Sequence, residues 1–90
     1  MRYPVVIHKD EESDYGVSVP DLPGCFSAGK TLEGALMEAV EAIACHIEGL
    51  LLDEEPIPLP GPIALHQQNV DYAGGVWAVV NTVTSPHQHS

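Results

Sequence analysis

Basic residues are nearly missing. The 90 residues hold 3 Lys plus Arg against 13 Asp plus Glu, a formal charge of −10. The three bases are Arg2, Lys9 and Lys30, and none follows Lys30. A free-standing nucleic-acid binder neutralises phosphates with clustered Lys and Arg. A polybasic membrane-surface protein needs the same residues. Both classes are excluded, and an electrostatic partner of so acidic a chain is itself basic. Long apolar runs are missing too. The N-terminal strand region offers at most the stretch Tyr3-Pro4-Val5-Val6-Ile7, too short for a signal-peptide core or for the roughly 18 apolar residues of a membrane span. Cysteine is limited to Cys25 and Cys45. With no export signal, two cysteines point to reduced thiols and a cytoplasmic location.

What is present suits one small globular domain. Hydrophobic residues make up 44 % of the chain and mean hydropathy is +0.03, too apolar for a disordered acidic tail. The expected division is a domain over 1–84 and a polar tail over 85–90.

Tyr3, Val5 and Ile7 alternate with Pro4, Val6 and His8, which reads as a strand apolar on both faces. Asp10 to Asp14 reads as a solvated hairpin loop. Tyr15, Val17 and Val19 predict a second strand, and Pro20-Asp21-Leu22-Pro23-Gly24 is turn chemistry. Cys25 to Ala28 predicts a short third strand, completing an antiparallel meander. Thr31 is a candidate N-cap for a helix over 31–52. Its apolar face is Leu32, Ala35, Leu36, Ala39, Val40, Ile43, His46, Ile47 and Leu50, an arc of about 140°. Pro56, Pro58, Pro60 and Pro62 predict a stiff extended crossover. Residues 63–70 are open between a turn and a strand, and Val76 to Val83 predicts the last strand. The fold class is therefore α+β: a β-β-β-α-β antiparallel sheet packed by one long helix.

Several residues together resemble a known family. They are Arg2-Tyr3-Pro4-Val5, then Tyr15-Gly16-Val17-Ser18-Val19-Pro20-Asp21-Leu22-Pro23-Gly24-Cys25, then Gly29-Lys30-Thr31-Leu32-Glu33, and finally Ile57-Pro58-Leu59-Pro60. Over residues 2–83 the chain resembles the HicB antitoxins of type II toxin–antitoxin systems. The resemblance implies a partial, degenerate RNase H-like fold and a partner, a small basic HicA-type ribonuclease toxin that the antitoxin keeps from mRNA. It also implies dimers or larger homo-oligomers. HicB proteins usually add a C-terminal DNA-binding domain for transcriptional autoregulation. The chain shows no such segment and no base after Lys30, so direct DNA binding is not expected of it.

The acidic surface carries the functional expectation. Toxin-contact candidates are Asp10, Glu11, Glu12 and Asp14 in the hairpin, Glu38, Glu41 and Glu48 on the helix, and Asp53, Glu54 and Glu55 at its end. These carboxylates can stand in for RNA phosphates before a basic partner. No catalytic residue, metal site or cofactor is expected. An RNase H-type nuclease gathers carboxylates around two metals, and residues 3–9 hold no acid from which to start such a set. Cys25 reads as a small buried packing residue and Cys45 projects from the helix side away from the sheet, and neither sits in a setting that makes a nucleophile. His46 reads as a boundary histidine and the His87/His89 pair as a chance tail feature. Trp77 reads as a core anchor, with a subunit interface as its alternative role. Two rival functions stand beside the antitoxin: a metal-dependent RNase H-like nuclease, and an oligomerisation or regulatory module of a repressor.

Overall fold

Strand β1 (Arg2–Lys9) is an inner strand of the fold in a computed structural model of the protein, which describes residues 2–9 and 14–81. Residues Tyr3 to Ile7 are buried without a break, as a strand apolar on both faces must be. β2 (Tyr15–Ser18) and β3 (Phe26–Gly29) follow as the predicted meander, with β3 one residue later than expected. Cys25 is left in the turn, where its N–H donates to the Leu22 carbonyl and its carbonyl accepts from Val19. The last strand, β4 (Val76–Asn81), pairs with the other side of β1. The sheet order is β3-β2-β1-β4, and every pairing is antiparallel.

Helix α1 (Leu32–Leu52) starts where Thr31 accepts a hydrogen bond from the Gly34 N–H, satisfying one orphan donor of the first turn. Its buried residues are Ala35, Ala39, Ile43 and Ile47, on the predicted face. Leu36 and Val40 pack at its margins, while Leu32 is 43 % exposed. The alanines let the helix approach the sheet closely. A Cβ on Gly29 would come within 2.6 Å of the Ala35 backbone nitrogen, so glycine is required there. Tyr3, Val5, Ile7, Val17, Val19, Leu22, Cys25 and Val80 complete the core under the helix.

The crossover explains why β4 runs antiparallel to β1. A helix of 21 residues carries the chain about 30 Å along the sheet. A strand starting there would run parallel to β1 and β3. Instead the proline-rich segment travels back, and the eight residues 55–62 alone span about 25 Å when extended. Two short helical turns then close the crossover, α2 (Ile63–His66) and a 3-10 turn at Val70–Tyr72. They occupy the stretch left open by the sequence. The expected strand residues 82–83 and the tail with His87 and His89 lie outside the described residues.

Candidate functional surface

The outer face of α1 is acidic because the inner face claims the apolar residues. Glu38, Glu41 and Glu48 are all exposed, opposite the buried row. Glu38 and Glu48 are about 15 Å apart along the axis. Asp53, Glu54 and Glu55 follow at the helix end, also exposed. There Glu54 donates its N–H to the Leu51 carbonyl and Glu55 donates to Leu50, the paired bonds of a Schellman motif. Glu54 has φ 57, the one positive-φ non-glycine among the described residues. Glycine is the usual occupant, because a Cβ is strained in this region. The last helical turn has no basic residue, so three carboxylates crowd the negative end of the helix dipole against their electrostatic preference.

Asp14 does not join this surface. Asp14 is exposed just before β2. Tyr15 pairs with Gly29, which leads into the start of α1, so Asp14 stands at the opposite end of the helix from Asp53–Glu55. Asp10, Glu11 and Glu12 lie outside the described residues. Lys9 in the same hairpin places its ammonium 5.4 Å from the Tyr15 ring centroid.

A second polar cluster was not anticipated from the sequence. His66 Nε2 lies 3.0 Å from Asp21 Oδ1, its ring stacks on Trp77 at 6.3 Å, and Tyr72 meets Trp77 edge-on at 5.8 Å. Trp77 pairs with Val6, and by strand alternation both face away from α1. The crossover therefore roofs this part of the back face, and a Cβ on Gly75 would collide with Val6. The Tyr3 hydroxyl donates to the Pro58 carbonyl at 2.7 Å, fixing the crossover on the helix side. Burial, and second the nearby Asp21 charge, push the Tyr3 hydroxyl above its ordinary pKa. Asp21 Oδ2 is buried with no hydrogen-bond partner among the described residues. These contacts hold the crossover, and Trp77 anchors it as half-buried cover. The clue in the sequence was Asp21 in a Pro-Gly turn and His66 next to the proline run.

The two cysteines divide between core and surface. Cys25 is buried and Cys45 exposed, both free. Burial, with a smaller contribution from Cys45, pushes the Cys25 thiol up, the reverse of a reactive thiolate. Among the described residues no three His, Cys, Asp or Glu side chains gather closely enough to hold a metal ion, and no helix is long and apolar enough to cross a membrane.

An antiparallel sheet under one helix with an acidic outer face defines an α+β domain of the kind found at the N-terminus of HicB antitoxins. The N-terminal domain of Burkholderia pseudomallei antitoxin HicB is similar at 36 % identity and a TM-score of 0.78, over 92 % of this chain and 99 % of that one. A chain of the HicA3 and HicB3 toxin-antitoxin complex is matched at 32 % identity and a TM-score of 0.74, over 92 % of this chain and 99 % of that one. Antitoxin HicB 1 of Photorhabdus laumondii is 46 % identical over 63 residues, 70 % of this chain and 41 % of that protein. The family model for the HicB-like antitoxin of bacterial toxin–antitoxin systems matches residues 3–89. The chain belongs to the HicB-like antitoxin family. It spans 60 %, 41 % and 51 % of the length of three curated relatives.

Proposed function

We propose that this chain is a non-enzymatic antitoxin domain that binds a small basic HicA-type ribonuclease in the cytoplasm and covers its RNA-binding and catalytic surface. The observation that carries the reading is the row Glu38, Glu41, Glu48 and Asp53–Glu55, exposed along one side and end of a single rigid helix. Repeated carboxylates on a helix offer a basic RNA-binding groove a fixed substitute for phosphates. Charge attraction governs the encounter, while apolar contacts at the interface govern how long the complex lasts. Family membership supports a toxin as the partner, and the related HicB3 chain forms a toxin–antitoxin complex. Asp14, and the neighbouring Asp10, Glu11 and Glu12 outside the described residues, remain candidate toxin contacts in the proposal. Self-association into dimers or larger assemblies also belongs to it.

The test is association kinetics between the purified chain and a purified HicA-type toxin. Rising salt slows association more than it speeds dissociation. The double variant Glu41→Lys/Glu48→Lys lowers the association rate about tenfold or more at low salt. Salt-independent association, or an unchanged rate in that variant together with an intact fold, overturns the helix-face assignment.

A further inference from the structure

We propose that the outer edge of β3 is a self-association site, where a second copy adds its own β3 antiparallel and continues the sheet. This deepens the self-association part of the proposed function and rests on that part, not on the toxin. The two sheet edges differ in cover. Beside β4, the crossover roofs the back face through His66 and Tyr72 on Trp77. Beside β3, α1 covers the front face, with the Ser27 hydroxyl donating to the Ala35 carbonyl at 2.9 Å, but among the described residues nothing covers Phe26 and Ala28 on the back face. Register places Phe26, Ser18 and Val6 in one row and Ala28, Gly16 and His8 in the next. Phe26 is 71 % exposed and Ala28 is also exposed.

The chemistry of this edge fits a second copy. Two chains of charge −10 repel over most of their surface, yet residues 22–29 carry no charged side chain. Natural edge strands are usually guarded by a charge, a proline or a bulge, and residues 26–29 have none. An antiparallel pairing on a two-fold axis through Ser27 preserves the alternation of faces. It sets Phe26 of each copy across from the partner's Ala28, with Gly16 and Ser18 behind, so each large ring meets small residues. Aromatic cross-strand neighbours stabilise such pairs. A four-residue strand is a small contact and gives weak, concentration-dependent association.

The experiment is sedimentation of the chain from micromolar to sub-millimolar concentration, beside Phe26→Lys. Because Phe26 is exposed, this variant keeps its fold, checked by circular dichroism. The expected result is concentration-dependent dimers for the native chain, weakened about tenfold or more in Phe26→Lys, with toxin binding unchanged. A second variant, Ser27→Cys with Cys45→Ser, forms an intermolecular disulfide under mild oxidation, since Cα atoms opposite each other in an antiparallel pair lie about 4.5–5.5 Å apart. A native chain that stays monomeric throughout overturns both the site and self-association. Assembly that persists unchanged in Phe26→Lys overturns the site alone. Loss of toxin binding in Phe26→Lys with assembly intact assigns the edge to the toxin and also overturns the proposal.

Discussion

Replacing Glu54 by glycine separates stability from function at the end of α1. Glu54 has φ 57, where a Cβ crowds the following carbonyl and costs roughly 1–2 kcal/mol. Glycine occupies that region without the penalty, although it loses some of the gain through the freedom it adds to the unfolded chain. The net expectation is a stabilisation of about 1 kcal/mol. For a domain of this size that raises the melting temperature by about 4–8 °C. Removing a carboxylate from the helix C-terminus adds in the same direction. Glu54→Gln isolates that charge effect, because glutamine keeps the strained backbone. Thermal denaturation of the three proteins therefore orders them native, Gln, Gly, with most of the gain in the last step. If the proposed complex forms through this face, association with the toxin moves the opposite way, since both variants lose one of the helix-end acids. A melting temperature for Glu54→Gly at or below that of the native chain refutes the strain argument. A gain shared equally by Gln and Gly refutes it as well, and assigns the whole effect to charge.

Three further outcomes follow from the packing. Gly29→Ala forces the Ala35 backbone away from β3 and costs about 1–3 kcal/mol, read by chemical denaturation. Tyr3→Phe removes the hydrogen bond to Pro58, costing about 0.5–1.5 kcal/mol; it also alters the alkaline limb of stability. Tyr3 is raised from 10.0 and Cys25 from 9.0 in the folded chain, so folding favours their neutral forms. That contribution is complete below pH 9 and declines as pH rises through each folded value, and Tyr3→Phe flattens the decline above pH 10. His66→Ala breaks the contact with Asp21 and the stack on Trp77. It raises hydrogen exchange over residues 63–75 and shifts Trp77 fluorescence while exchange in β1 and α1 stays slow.

The sheet and helix were legible because their signals are local. Alternation in Tyr3–His8, the Thr31 cap and the 3.6-residue spacing of Ala35, Ala39, Ile43 and Ile47 need no knowledge of partners. The β3 boundary moved by one residue because the Cys25 backbone is drawn into the turn by Leu22 and Val19, a choice that depends on distant packing. Residues 63–75 were illegible for a related reason. Their turns are too short to show periodicity, and they are held by Asp21, Val6 and Trp77 from other elements. The acidic helix face was legible residue by residue. Its division from Asp14 was not, since that follows from the pairing of Tyr15 with Gly29. The left-handed Glu54 had no sequence signal, because glycine is the residue that marks such a site.

The central claim is tested most directly by RNA cleavage. A HicA-type toxin is incubated with mRNA, alone and with an equimolar amount of the purified chain, and the mixture is passed over a sizing column. The expected result is that cleavage stops and that the two proteins co-elute. Cleavage that continues at equimolar chain, with the proteins eluting apart, contradicts it.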